Sequence, residues 1–267
     1  MRLIMEFAFN PALPVSGFVV GLLVGLTGVG GGSLMTPLLV LLFGFKPATA
    51  VGTDLLYAAI TKSGGSWVHH RHDNIDWTII GRLASGSIPA AALTLLLLAL
   101  LGVQGQKATG LISVVLGIAL LLTAASLVFR QRLLDLAARR ANSAGFAQRH
   151  VAGMTVTVGA IVGVLVTISS VGAGALGVTA LSFLYPQLAT RRIVGSDIAH
   201  AVPLTLVAGL GHWWLGMVDV VLLVSLLIGS LPGIALGAHF AVKVPERALR
   251  GLLASVLLLI GGKLILA

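Results

Sequence analysis

The residues best suited to binding a ligand lie in two glycine-rich stretches that are 142 positions apart. Consecutive glycines destabilise a helix interior and permit backbone conformations that other residues avoid, so we expect a helix to break at each stretch. Amides at such a break lose their helical partners, and a helix that starts there presents its positive end, which suits an oxyanion. Serine hydroxyls would add donors. The predicted anion-binding residues at the breaks are Gly30, Gly31, Gly32, Ser33, Ser169, Ser170, Gly172, Ala173 and Gly174.

Glycines also let two helices pack closely, and close packing is the alternative explanation of these stretches. Gly17, Gly21 and Gly25 have the four-residue spacing of such a packing face. A dinucleotide-binding loop is excluded, because no strand precedes the glycines and no βαβ unit surrounds them. We expect packing where glycines are regularly spaced and binding where they are concentrated at a break.

One cation, Lys62, lies within an apolar segment long enough to span a bilayer. A charge in such a segment is energetically costly and is a functional candidate by default. Lys62 could attract an anionic substrate, or pair with Asp54, which lies eight residues earlier on roughly the same side of a helix. The alternative is that its long side chain extends to the nearby membrane interface.

Three further polar residues in apolar segments could bind a coupling proton or cation. Asp54 and Asp197 occupy matching positions, after Gly-Thr and after Gly-Ser, and His200 follows Asp197 in the same segment. A histidine gains and loses a proton near neutral pH, which suits a proton relay. The alternatives are that the aspartates cap helices and that His200 is a hydrogen-bonded packing residue.

The composition indicates an integral membrane protein. Apolar residues make up 57% of the chain and charged residues only 9%, whereas soluble domains carry roughly a quarter charged residues. The net charge of +9 comes from residues in short gaps between apolar runs, where they set membrane orientation, so we expect no nucleic-acid partner. The absence of cysteine excludes disulfides, thiolate metal sites and cysteine nucleophiles, and we expect no metal or cofactor.

The apolar segments fall into two kinds. The regions 7–45 and 150–190 contain no Asp, Glu, Lys or Arg and are nearly twice the length of about 20 residues that crosses a bilayer, so each could hold two helical pieces. Six other segments fit one crossing each: 47–69, 77–101, 107–129, 190–213, 219–242 and 246–266.

An internal repeat is the most informative feature of the sequence. The glycine-rich stretches match at a spacing of 142, and later motifs match at 143, so that Asp54 aligns with Asp197 and Ser87 with Ser230. A chance similarity would not keep one register over several motifs. We predict an all-α membrane protein of two homologous four-segment repeats, with the first segment of each broken by its glycines. The predicted divisions are an N-terminal repeat at 1–129, a cytoplasmic linker at 130–149 and a C-terminal repeat at 150–267.

The basic residues favour inverted repeats. The linker contains five arginines, which predicts that it is cytoplasmic. If both glycine-broken regions cross fully, the basic residues divide nine inside to seven outside, which is almost no bias. If both regions are re-entrant, six helices cross, the repeats are inverted and the division is twelve to four. Inverted repeats with discontinuous helices are a recurrent design of transporters.

The segment from Gly21 to Trp77 resembles the sulfite exporter TauE/SafE family. The resemblance rests on the run Gly-Val-Gly-Gly-Gly-Ser-Leu-Met-Thr-Pro, on Ala-Val-Gly-Thr at 50–53 and on Gly-Gly-Ser-Trp-Val-His near residue 66. A weaker second copy extends it over nearly all 267 residues. It implies a multi-pass permease of the inner membrane for small sulfur-containing anions such as sulfite, thiosulfate or organosulfonates. Ala173 replaces a middle glycine of the first copy, so the two halves need not contribute equally to the site.

We predict a secondary transporter that works by alternating access, with its anion near the membrane midplane between the two breaks. We expect no enzymatic activity, because the sequence offers no paired carboxylates, metal-ligand set or nucleophile with an adjacent base. An anion channel and a non-catalytic membrane subunit of a larger complex are the alternatives. The expected partners are the small anion and the lipid bilayer. The sequence leaves the oligomeric state open, with a homodimer as one option.

Overall fold

The computed structural model describes residues 11–27, 32–102, 106–141, 145–240 and 246–266, and every regular element in these ranges is an α-helix. Five described helical segments are long and apolar enough to cross a membrane. The chain is therefore an all-helical, multi-pass membrane protein, as its composition predicts. The five segments are Trp77–Leu100, Thr109–Leu133, His150–Ser169, Thr190–Trp214 and Val220–Gly237.

The described ranges contain ten helices, which we number α1 to α10 along the chain. Two of them, α2 and α7, have only 10 residues and follow the glycine-rich stretches. The longest, α5, has 36 residues and continues into the segment predicted as a linker. The helices are α1 Ala12–Thr27, α2 Gly32–Leu41, α3 Pro47–Arg71, α4 Trp77–Leu100, α5 Gln106–Ala141, α6 Gly145–Ser169, α7 Ala175–Leu184, α8 Thr190–Trp214, α9 Val220–Phe240 and α10 Glu246–Leu266.

The chain leaves helical geometry at the second glycine-rich stretch, between α6 and α7. Gly172 and Gly174 have φ angles of 130° and 125°, which residues with a side chain rarely adopt. Ser170 has a φ of 59°, in the left-handed region. These three residues reverse the chain within a few positions.

The short helix α7 returns alongside α6. Tyr185 directly follows α7, and its hydroxyl lies 2.8 Å from Oγ1 of Thr155. Thr155 lies 14 residues before the end of α6, which is about 21 Å along a helix. A second crossing in the same direction would carry Tyr185 away from Thr155. The α6 and α7 helices therefore form a hairpin.

The first glycine-rich stretch lies between α1, which ends at Thr27, and α2, which begins at Gly32. The binding predictions for Gly30 and Gly31, and for the side chain of Ser33, fall outside the described part of the chain.

Helix α1 packs directly on the backbone of α9. A Cβ atom at Gly17 would overlap the carbonyl group of Leu226, and a Cβ at Gly21 would overlap that of Ser230. The residue numbers of the contacting positions increase together on both helices, so α1 and α9 run parallel. The regular glycine spacing in α1 serves this close approach.

Helices α6 and α4 pack in the same way. Gly159 faces the backbone of Leu83, and Gly163 faces the backbone of Ser87, where a Cβ would lie 2.5 Å from the carbonyl oxygen. The two helices are also parallel, because both contact positions increase together.

Helices α3 and α8 pack against each other with opposite directions. The side chain of Leu56 fills the space beside Gly209, and Gly65 faces Ile198. Later residues of α3 therefore contact earlier residues of α8, so this pair is antiparallel.

Two hydrogen bonds tie α3 and α8 to the starts of other helices. Oγ1 of Thr53 in α3 accepts a bond from the amide of Asp219, at 3.1 Å, just before α9. Oγ of Ser196 in α8 accepts one from the amide of Asp76, at 2.8 Å, just before α4. Both aspartate carboxylates also accept bonds from the first turns of α9 and α4, so they act as helix caps.

Candidate functional site

Asp54 is fully buried and holds α2 against α3. Its Oδ2 atom accepts hydrogen bonds from the amide of Thr36, at 3.2 Å, and from the Thr36 hydroxyl, at 2.5 Å. Asp54 lies seven residues after α3 begins, so it does not cap its own helix. Its carboxylate instead lies against the first turns of the short helix α2.

Several polar atoms around Asp54 are buried without a hydrogen-bond partner among the described residues. They are Oδ1 of Asp54, the hydroxyl of Tyr57 and the hydroxyl of Ser170. Ser170 belongs to the second break and lies close to Asp54, while Ser230 of α9 lies close to Tyr57. A buried polar group without a partner costs about 1–3 kcal/mol. Because Ser170 is near Asp54 and Ser230 is near Tyr57, these groups can satisfy one another after small side-chain rotations, and together they form one buried polar cluster.

Asp197 contacts the start of α7 as Asp54 contacts the start of α2. It is 1% exposed and lies seven residues after α8 begins, so it does not cap α8. The amide of Gly174 interacts with its carboxylate, and a Cβ atom at Gly177 would overlap Oδ1. Its Oδ2 atom has no hydrogen-bond partner in the described ranges. The positive end of α7 therefore already faces a carboxylate.

Lys62 is directed into the protein at the second break. It is 7% exposed, and its Nζ lies 3.5 Å from the carbonyl oxygen of Ala173. Lys62 interacts electrostatically with both buried aspartates, Asp54 and Asp197. One lysine thus lies within electrostatic range of two carboxylates, and its ammonium group is directed at the break inside the protein.

His200 lies next to this cluster on α8. Its Nε2 atom is 2.8 Å from the Ser87 hydroxyl of α4, and its Nδ1 is buried without a partner among the described residues. It also lies within electrostatic range of Lys62. His200 therefore makes a hydrogen bond through one ring nitrogen, whereas its other ring nitrogen is buried without a described partner.

The second break contains both hydrogen-bonded side chains and backbone amides without a described acceptor. The hydroxyl of Ser169 donates to the carbonyl oxygen of Leu165, at 2.6 Å, and accepts the amide of Val171, at 3.2 Å. Its hydroxyl thus shapes the break. The amides of Gly172, Ala173, Ala175 and Leu176 have no acceptor within the described ranges. These amides and the Lys62 ammonium group are the candidate donors for an anion at this break.

Three residues of this cluster were not predicted as site residues. Thr36 bonds to Asp54 from 18 positions away, a contact that no local pattern indicates. Ser87 and Tyr57 lie beside polar partners from the other half of the chain. The Gly-Ser-x-Pro motif at residues 86–89, which occurs again at 229–232, was a signal for Ser87. Tyr57 had no such signal.

These features define a class of protein. Apolar helices long enough to span a bilayer surround a buried group of two aspartates, a lysine and a histidine. Buried ionisable residues among membrane helices are typical of transport proteins. The protein is therefore a multi-pass membrane protein of the transporter type.

The chain belongs to the sulfite exporter TauE/SafE family, whose model matches residues 13–264. It is 40% identical to the probable membrane transporter protein YjnA of Bacillus subtilis (strain 168) over 249 residues, covering 93% of this chain and 97% of the relative. It is 30% identical to the probable membrane transporter protein YdhB of the same organism, covering 87% and 91% of the two chains. No solved structure matches the chain significantly. The family resemblance seen in the sequence is confirmed.

Proposed function

We propose that this protein is a secondary transporter that moves a small sulfur-containing anion, such as sulfite, thiosulfate or an organosulfonate, across the inner membrane by alternating access. The names of the relatives support membrane transport, and the family name supports sulfite as a substrate. The observation that carries the proposal is the burial of Lys62 at the second helix break. A buried cation beside a broken helix is a suitable environment for an anion.

The proposed anion site lies between the two breaks, and its described part is at the start of α7. The Lys62 ammonium group supplies a positive charge, and the amides of Ala175 and Leu176 supply donors without acceptors among the described residues. The helix start adds its partial positive charge. Ser170, whose buried hydroxyl lies near Asp54, would add a further donor from the other side of the break if it turned toward the anion.

Alternating access needs two arrangements of similar energy, and we propose that inverted repeats at 1–129 and 150–267 provide them. Three helix relations support the inversion. The equivalent helices α3 and α8 are antiparallel, as an axis in the membrane plane requires. Helix α1 packs parallel to α9 just as α6 packs parallel to α4, so each repeat places its first helix on the fourth helix of the other.

The hairpin of α6 and α7 supports re-entry of the second broken segment from the side of the linker. Tyr185, after α7, lies beside Thr155 near the linker end of α6. Arg192, at the start of α8, lies 3.6 Å from Asp76 at the start of α4, so both helices begin on this side. This topology assigns twelve basic residues to the linker side of the protein, which supports a cytoplasmic position for that side.

Binding to the purified protein provides the first test. Thermal shift measured against sulfite, thiosulfate, sulfate, organosulfonates and carboxylates should identify the sulfur-containing anions as stabilising ligands. Lys62→Ala should weaken their binding by at least about 10-fold, because a charge pair at low effective dielectric is lost. The matched control is Lys46→Ala, which removes an exposed cation at the start of the same helix. Equal affinities for the two variants would remove Lys62 from the site.

Counterflow in proteoliposomes tests the mechanism. Uptake of radiolabelled sulfite should be stimulated by unlabelled sulfite on the other side of the membrane, because a carrier exchanges its substrate. A channel does not alternate between two conformations, so substrate on the opposite side cannot accelerate its transport in this way. Passive equilibration without trans stimulation would therefore favour an anion channel over the proposed carrier.

A further inference from the structure

The charge balance of the buried cluster does not suit an anion. Asp54, Asp197 and Lys62 are all at most 7% exposed, and when all three are ionised they carry a net charge of −1. At an effective dielectric constant of about 20, a charge about 6 Å from an anion of the same sign weakens its binding roughly 100-fold. The site needs one positive charge more before it accepts a substrate anion.

The two buried aspartates differ in the groups that stabilise their negative charge. Asp54 accepts two hydrogen bonds from Thr36, and both favour an ionised carboxylate without help from Lys62. Asp197 has the Gly174 amide and its interaction with Lys62, and each carboxylate keeps one oxygen, Oδ1 of Asp54 or Oδ2 of Asp197, without a hydrogen-bond partner in the part of the chain described. Asp197 therefore has fewer hydrogen bonds than Asp54 to stabilise its negative charge when Lys62 binds another anion.

A bound anion would compete directly with Asp197. Its carboxylate lies against the first turn of α7, where Gly177 leaves room for it, and faces the ammonium group that the anion would use. When the anion takes Lys62 as its counter-ion, Asp197 loses its main compensation. The Oδ2 atom is then the place where a proton neutralises the second negative charge.

We propose that Asp197 is the coupling site of this transporter: the anion and one proton bind together, with the proton on the Asp197 carboxylate, so that transport is anion–proton symport. This inference rests on the proposed function, because it requires an anion at Lys62. Binding linkage is reciprocal, so the anion raises proton occupancy at Asp197 and the proton raises anion affinity.

Other titratable groups face the same cluster from the packed helices. Asp54 and Tyr57 lie on α3, and His200 lies beside Asp197 on α8. Helix α7 contains no titratable side chain, and the break contributes the Ser170 hydroxyl. Protonation of His200 would place a second cation next to Lys62, which like-charge repulsion opposes. Asp54 and His200 are therefore the comparison sites for the test.

Calorimetry measures the proton directly. Thiosulfate is the probe, because it stays fully ionised through the neutral range and any proton taken up must go to the protein. Binding enthalpies are measured at one pH in Tris and in imidazole, which avoids sulfonate buffers that could compete for the site. Wild-type protein should take up about one proton per thiosulfate, and its affinity should fall as pH rises, up to about tenfold per pH unit.

Variants locate the proton. Asp197→Asn imitates the neutral carboxyl group, so it should bind thiosulfate with no proton uptake and with affinity nearly independent of pH. Asp54→Asn and His200→Asn should keep the proton uptake. Loss of uptake in either of these variants, with uptake retained in Asp197→Asn, would overturn the assignment to Asp197.

Transport by the wild-type protein gives a test that requires no variant to fold. In proteoliposomes containing a pH-sensitive dye, an inward thiosulfate gradient should acidify the lumen, and a sodium gradient should have no effect. Accumulation of thiosulfate without acidification, or driven by sodium, would refute proton coupling while leaving the proposed transport function intact. Absence of binding and uptake of thiosulfate, sulfite and organosulfonates alike would instead refute the proposed function.

Discussion

Replacing Gly163 by alanine should destabilise the protein because α4 and α6 are in backbone contact at this position. A Cβ at Gly163 would lie 2.5 Å from the carbonyl oxygen of Ser87 and 2.8 Å from its Cα. Favourable carbon contacts begin at about 3.5 Å, so the helices must separate by roughly 1 Å. Overpacking of this kind costs about 1–3 kcal/mol.

The control is Gly153→Ala on the same helix, where an added Cβ would have no neighbour within 4 Å. Both substitutions gain the same helix propensity, about 0.5–1 kcal/mol, so the difference in stability between the two variants reports the clash alone. Thermal unfolding in detergent should give Gly163→Ala a Tm lower than that of Gly153→Ala by roughly 2–12 °C. Equal Tm values would refute the close approach of α4 and α6. Gly21→Ala, which faces Ser230 in the α1–α9 pair, should behave like Gly163→Ala.

Three further predictions concern the ends of helices. Ser196→Ala leaves the amide of Asp76 without its described side-chain acceptor and should cost about 1–3 kcal/mol in unfolding free energy, measured against wild type by thermal denaturation. Arg192→Ala removes a 3.6 Å ion pair whose arginine is 47% exposed, so the same measurement should show a loss below about 1 kcal/mol; a larger loss would contradict the weak surface pairing inferred here. Because the chain contains no cysteine, Lys46→Cys and Arg191→Cys give clean labelling sites, and an impermeant maleimide should reach them from opposite sides of the membrane; labelling from one side would exclude inverted repeats.

The ends of the long helices could be predicted closely from the sequence because polar residues flank each apolar run. The segment expected at 77–101 forms a helix over Trp77–Leu100, and the one expected at 190–213 forms a helix over Thr190–Trp214. Apolar length and flanking polarity are local properties, so they are visible without any tertiary contact. The same reasoning missed the extent of α5, because the arginines after residue 129 are compatible with a helix that continues beyond the membrane.

The surroundings of the buried aspartates could not be predicted, because they depend on how the broken segments fold back. The glycines before Asp54 and Asp197 suggested helix starts, yet α3 and α8 begin seven residues earlier. Both aspartates contact a short helix that precedes their own, through Thr36 in one half and through the backbone at Gly174 and Gly177 in the other. A linear pattern identifies the acidic residue but not the helix end that it faces.

The proposed repeat makes the distribution of charge informative. At the repeat spacing of 143, Asp54 corresponds to Asp197, but Lys62 corresponds to Thr205, whose hydroxyl donates to the Ala201 carbonyl oxygen at 2.8 Å. Both short helices thus face a carboxylate, while a buried lysine is present in one half alone among the described residues. A second anion at the equivalent place would meet a carboxylate without a compensating cation, so the charges favour one anion at a time, on the side of Lys62. The backbone architecture can therefore be two-fold while the proposed binding chemistry is not, and in that proposal Lys62 determines which half holds the substrate.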